Sequence, residues 1–231
     1  MLKGLNLQES NQSVSTDKRY RYKGKEIKWT EEETERFWKL ELLNSMKEVA
    51  PDFIVDDRNR NTLAALYDYV WHKDGRLDPR KGLFLWGPIG TGKSTLIKGL
   101  QKYLGKINKY CYGYDANIGF RFLSAVEIAL MYAKSGLDGI VSLTERERMS
   151  NLAIDELGKE PTDSKYFGTS INVMQTILQL RYEARNQFIT HVTTNLDPNF
   201  DLPEKYSAYI ADRVKEMFNV IPIKGETRRT Q

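Results

Sequence analysis

An α/β fold with a mostly parallel, five-stranded sheet flanked by helices is the architecture this 231-residue sequence predicts. Three observations carry the prediction. Short apolar runs alternate with helix-period stretches along most of the chain, the pattern of parallel βαβ units. At one strand-to-helix junction stands Gly87-Pro88-Ile89-Gly90-Thr91-Gly92-Lys93-Ser94, which fits G-x-x-x-x-G-K-[ST], the phosphate-cradling P-loop. Some sixty residues later the apolar run Leu152-Ala153-Ile154 ends in two carboxylates, Asp155 and Glu156. The carboxyl ends of parallel strands line the ligand crevice of such sheets, so both motifs point to one P-loop NTPase site.

The elements follow from local pattern. Residues 1–29 are polar and basic, with little to pack, and Lys18-Arg19-Tyr20-Arg21-Tyr22-Lys23-Gly24-Lys25 interleaves cations with two tyrosines. That stretch reads either as a solvated leader or as a strip that lies along phosphates while its rings stack on bases. Residues 30–51 read as a helical extension: Thr30 and Glu33 fit a capping box, and Pro51 stops the helix. Phe37, Trp38, Leu40, Leu42 and Leu43 are more apolar surface than a lone helix carries, so the same chain is expected to cover them. Asp56 or Asp57 caps a second helix, striped by Leu63, Leu66, Tyr67 and Val70. From residue 52 to 231 the pattern is that of one nucleotide-binding domain. Its expected strands are 82–86, 120–123, 151–155, 188–194 and 219–223. Its expected helices include one from Thr95 to about Gly105, one from Ser124 through Met131, a long one marked by Val173, Ile177, Leu180 and Ala184, and one striped by Ile210, Val214 and Met217.

Composition limits the function classes. Hydrophobic content of 40% with 29% charged residues describes a soluble globular chain. No stretch has the length of a membrane span or the apolar core of a signal peptide. Cys111 is the only cysteine, so no intrachain disulfide forms. These points predict a cytoplasmic protein with no membrane partner. The net charge of +4 permits nucleic acid as a partner without arguing for it.

The chemistry expected of the site follows from residue type. Gly87, Gly90 and Gly92 let the backbone between Gly87 and Thr95 turn tightly, so that its N–H groups face phosphate oxygens. The helix that opens there directs its positive end at the same anion. Lys93 reaches the outer phosphates of ATP, and Ser94 holds Mg²⁺. Asp155 is placed to hold the same Mg²⁺, directly or through water. Glu156 is the candidate base for an attacking water, the group that separates a hydrolase from a binder. Asn195 ends the strand Thr193-Thr194 and can hydrogen-bond the γ-phosphate or the lytic water, or it simply opens the turn at Asp197-Pro198. Arg213 lies on the flank of its helix, where it projects to a partner or pairs with Asp212 or Glu216.

Taken in order, the P-loop strand, the Asp155-Glu156 strand, the Thr193-Thr194-Asn195-Leu196 strand and the late Asp212-Arg213 helix resemble an AAA+ ATPase. Ile154-Asp155-Glu156-Leu157-Gly158 and the closing Gly225-Glu226-Thr227-Arg228-Arg229 are similar to the DnaC/IstB group of helicase loaders and transposition helper ATPases. The resemblance spans about Phe53 to Arg229. It implies that Asp155 and Glu156 are the Walker B pair, that Asn195 is sensor 1, and that Arg213 is an arginine finger completing a neighbouring subunit's ATP site. It implies self-association through such composite sites. Arg229, or alternatively Arg228, takes the sensor-2-like role, and no separate C-terminal lid domain is expected. The implied partners are a replicative helicase or a transposase, with single-stranded DNA gripped on the side of Lys98, Lys102, Lys106 and Lys109. An extra helix at Ser142–Arg148 fits the same group, although its mixed charges do not suit DNA contact. The alternative function is a nucleotide-dependent interaction module that hydrolyses little or nothing. A small-molecule kinase lacks its arginine-rich lid, and a GTPase lacks Asn-Lys-x-Asp.

Overall fold

In a computed structural model, residues 20–22, 25–27, 29–73, 75–112 and 118–228 are described. The elements in chain order are β1 (Tyr20–Tyr22), β2 (Lys25–Ile27), α1 (Glu31–Val49), α2 (Arg60–Trp71), β3 (Gly82–Trp86), α3 (Lys93–Tyr112), β4 (Arg121–Ser124) and α4 (Ala125–Thr144). They continue with β5 (Leu152–Leu157), β6 (Ser164–Tyr166), β7 (Thr169–Ile171), α5 (Val173–Glu183), β8 (Thr190–Thr194), α6 (Asp201–Lys205), α7 (Ala208–Met217) and β9 (Phe218–Pro222). The chain divides into two compact units, one drawn from residues up to 53 together with 98–119, the other from 54–97 and from 120 onward.

In the first unit, β1 and β2 form an antiparallel hairpin that pairs Tyr20 with Ile27. The capping box at the start of α1 is present. The Glu33 N–H donates to Thr30 Oγ1 at 3.2 Å, and the Thr30 N–H donates to the Glu33 carboxylate at 2.8 Å. Trp38, Leu42 and Met46, one turn apart, are buried, whereas Leu40 faces water. The Trp38 ring meets Tyr103 of α3 edge-on at 6.0 Å. The α1 face is thus covered from within the chain, as its apolar excess demands.

α3 does not stop at Gly105, as the glycine suggested, but runs on to Tyr112. Tyr103, Leu104 and Ile107 are buried on either side of Gly105, and their burial outweighs the roughly 1 kcal/mol that glycine costs a helix. All four lysines of the stripe therefore lie on one helix. Two of them meet carboxylates of α1: Lys106 pairs with Glu41 at 2.9 Å and Glu48 at 2.8 Å, and Lys102 stands 3.8 Å from Glu48.

The second unit is built on a five-stranded sheet in the order β4-β5-β8-β3-β9. Every pairing in it is parallel, so the sheet is parallel throughout. Its three central strands, β5, β8 and β3, are almost wholly buried, with Leu83, Phe84, Leu85, Leu152, Ile154 and Val192 in the core. This is what a parallel sheet flanked by helices requires. The P-loop strand β3 has β8 on one side and β9 on the other, while β5 lies beyond β8. β8 therefore stands between the P-loop and the acidic strand.

Several local expectations are corrected. Neither Asp56 nor Asp57 caps α2. Asn59 precedes that helix, and Asp56 instead closes a turn by accepting from the Arg58 and Asn59 N–H groups. Ser142–Arg148 is not a separate helix. α4 runs on from a capping box at Ser124 and Glu127 to Thr144, and Glu145–Arg148 form a turn. α4 is interrupted at Gly136, whose non-helical φ of +59° and ψ of −141° suit glycine, so that two helical segments meet there, and a Cβ at that position would meet the Tyr166 ring at 2.5 Å. The β6–β7 hairpin that carries Tyr166, and the short α6, had no sequence signal long enough to register.

Candidate nucleotide site

The P-loop emerges from β3 and closes on α3 within the second unit. Gly87, Gly90 and Gly92 all have positive φ, at +142°, +80° and +93°. Side chains rarely adopt such a backbone, which explains the glycines. Thr91 is buried and donates to the Pro88 carbonyl at 3.0 Å. Lys93 is also buried and donates to the Gly87 and Pro88 carbonyls at 2.8 and 2.7 Å. Burial lowers the Lys93 ammonium below the ordinary lysine value, Asp155 and Glu156 act to raise it, and Lys159 adds to the lowering. The ammonium thus sits within electrostatic reach of both acids of β5. Pro88 and Ile89 are exposed at the loop's tip, and Ser94 and Thr95 open the helix. The N–H groups of that first turn lack intrahelical acceptors, which suits them to an anion.

Ser94 donates to Asp155 Oδ1 at 2.7 Å, which joins the P-loop helix to β5 across β8. Thr193, on β8, donates to the same oxygen and accepts from the Glu156 N–H at 3.0 Å. Asp155 and Thr193 are both buried. The register explains their meeting. Ile154 pairs with Val192, but the next pair is Leu157 with Thr194, so a bulge falls at Asp155 and Glu156. Bulges re-aim side chains next to sites, and here Glu156 takes a left-handed φ of +56°. Its carboxylate pairs with Lys159 Nζ at 2.5 Å. The loop beyond is fixed by Glu160, a buried carboxylate that accepts from the Gly158 N–H at 2.8 Å and from the Tyr206 hydroxyl. Asn195 is exposed just past the end of β8.

A hydroxyl and a carboxylate converging beside a phosphate-binding loop are hard oxygen donors of the kind Mg²⁺ prefers. Among the described residues no cluster of three His, Cys, Asp or Glu side chains could hold a metal alone. Ser94 and Asp155 are the residues that would hold such an ion.

The C-terminal segment crosses the P-loop. The Arg228 N–H donates to the Gly90 carbonyl at 2.8 Å, and Thr227 lies so close that a Cβ at Gly90 would come within 2.2 Å of its hydroxyl oxygen. The Arg228 guanidinium donates to Asp56 at 2.8 Å. That bond, above all other causes, holds the Asp56 carboxyl below its usual value. Arg229 lies outside the described residues. Arg213 is placed apart from this cluster, on α7. Its guanidinium stacks on Tyr209 at 3.0 Å and on Tyr182 at 4.6 Å, and it donates to the Tyr209 carbonyl at 3.3 Å. Glu216 accepts from Tyr182 and stands 3.5 Å from Arg185.

Sequence reasoning missed Thr193, Lys159, Glu160 and the Asp56 partner of Arg228. Thr193 had a signal, since a polar residue near the carboxyl end of a strand beside the acidic strand has a place in the crevice. The others depend on long-range register or on a loop conformation that no local pattern encodes.

Residues 83–220 match the ATPase family associated with various cellular activities (AAA). The chain belongs to the AAA ATPase family. The matched span contains the P-loop, the acidic strand, Asn195 and Arg213. No curated protein sequence matches the chain. Among solved structures, the fold is similar to that of a protein described as a primosome component from Streptococcus pyogenes serotype M3, at 22% identity and a TM-score of 0.55, covering 80% of this chain and 91% of that one. It is also similar to DnaI, at 21% identity and a TM-score of 0.52, covering 79% and 93%. A third similar fold is the DnaC helicase loader, at 16% identity and a TM-score of 0.50, covering 76% and 96%. Identities this low speak to a shared fold. Among the described residues no helix is long and apolar enough to cross a membrane.

Proposed function

We propose that this AAA chain is an ATP-hydrolysing protein that acts with DNA in the manner of a helicase loader. The observation that carries the hydrolytic reading is the convergence of Ser94, Asp155 and Thr193 through one carboxylate oxygen, with Glu156 as the next residue along the bulge. Lys93 and the backbone of Gly87–Thr95 bind the phosphates. Ser94 and Asp155 would hold Mg²⁺, which would supply charge neutralisation to the phosphates. Glu156 takes the proton of the attacking water, and Asn195 orients that water or the γ-phosphate. Arg213 serves a neighbouring subunit's site as the arginine finger, and the tyrosine stack around it keeps the guanidinium ordered before assembly. Arg228, or Arg229 beyond it, senses the nucleotide from the segment that crosses the P-loop.

The loader role is supported by the family and by a fold shared with DnaI and the DnaC helicase loader. Its partner is a replicative helicase, with single-stranded DNA as a second ligand. Residues 30–51, ahead of the AAA domain, are the proposed partner-docking extension, and 52–231 the ATPase. The test is affinity capture from the host with the Glu156→Gln protein, which on this reading retains bound ATP. ATP-dependent recovery of a replicative helicase supports the loader role. Recovery of a transposase moves the chain to transposition. A second reading, an interaction module with little hydrolysis, is favoured by one observation: the Glu156 carboxylate is engaged by Lys159.

A further inference from the structure

We infer that Lys159 is a positioning residue that restrains the Glu156 carboxylate and keeps basal hydrolysis slow. The inference rests on the reading of Glu156 as the base that activates water. Lys159 Nζ meets Glu156 Oε1 at 2.5 Å, three residues apart in a turn closed by the Lys159 N–H donating to the Glu156 carbonyl at 3.1 Å.

The backbone on both sides of the pair is fixed. The Glu156 N–H is held by Thr193, and its left-handed conformation fits the bulge. The Gly158 N–H is held by Glu160, which is itself buried and bonded to Tyr206. The turn therefore presents Lys159 to Glu156 without needing the ion pair to form it. Side-chain exposures of 43% for Lys159 and 38% for Glu156 leave both groups in contact with water, so the pair opens and closes without unfolding anything. A carboxylate oxygen that accepts from an ammonium is turned toward the lysine rather than toward a water.

An exposed pair of this kind is worth little, so the restraint is a moderate factor. Lys159→Ala should raise kcat for ATP about 1.5- to 5-fold. KM and ATP affinity should be unchanged, because Lys159 acts through Glu156. Lys159→Arg should restore the wild-type rate, since a guanidinium keeps the pair. Rising ionic strength should narrow the gap between wild type and Lys159→Ala by screening the pair.

Steady-state ATPase assays on wild type, Lys159→Ala, Lys159→Arg, Glu156→Gln and the Glu156→Gln/Lys159→Ala double variant test this. A faster Lys159→Ala, with no such gain in the double variant, supports the restraint. If Lys159→Ala is no faster than wild type, or if its KM rises, the restraint is overturned even though Glu156→Gln has lost activity. If Glu156→Gln turns over as wild type does, the role of Glu156 falls first and the restraint with it.

Discussion

Thr193 holds the site together at the scale of a single side chain. Its hydroxyl donates to Asp155 and accepts from the Glu156 N–H, so one oxygen orients both acids of the bulge. Thr193→Val keeps the shape and removes both bonds. It leaves the Glu156 N–H unsatisfied at the edge of the core, so urea unfolding should show a loss of about 1–3 kcal/mol. Thr193→Ser, which keeps the hydroxyl, should lose much less. If Val and Ser prove equally stable, the hydroxyl is not the link.

His191 shows what one buried residue does for an element. It is fully buried on β8, where its Nδ1 accepts from the Leu83 N–H at 3.1 Å and so ties β8 to β3. The proton of the neutral ring must then be on Nε2, which has no partner among the described residues. Burial, reinforced by the Arg181 charge, pushes its pKa down to about 3. The unfolded imidazole takes a proton near 6.5 and the folded one does not, so stability should fall as pH drops from 6.5 toward 3, by up to about 1.4 kcal/mol per pH unit. Urea unfolding across that range should show a flatter dependence for His191→Gln than for wild type. Equal slopes would place the acid sensitivity elsewhere.

The same strands show how far the sequence could be read. The five core strands and the P-loop were legible because apolar runs and a glycine motif are local signals. The acidic motif, Asp155 and Glu156, was legible as a strand end, and the sheet brings it to the P-loop. The bulge at Asp155 and Glu156, the Lys159 pair and the Glu160–Tyr206 anchor were not legible, because each is set by register or by contacts between distant residues. Gly105 misled for a related reason, since a helix end was inferred from propensity while burial of Tyr103 and Ile107 kept the helix going.

At the scale of the whole molecule, the site described and Arg213 lie within the same unit, and Arg213 is held on α7 in a tyrosine stack, with no ion pair to Asp212 or Glu216 among the described residues. If Arg213 serves a second copy, turnover per chain should rise with protein concentration. Arg213→Ala should abolish that rise while leaving ATP affinity as it was, and a concentration-independent wild type would remove the finger from the account. The α3 face is less cationic than its sequence, because Glu41 and Glu48 engage Lys106. The central claim, that bound ATP is hydrolysed at the Asp155–Glu156 bulge, is tested most directly by measuring ATP binding and turnover side by side in wild type and Glu156→Gln. The account predicts equal affinity and a turnover reduced about a hundred-fold or more. Equal affinity with equal turnover would contradict it.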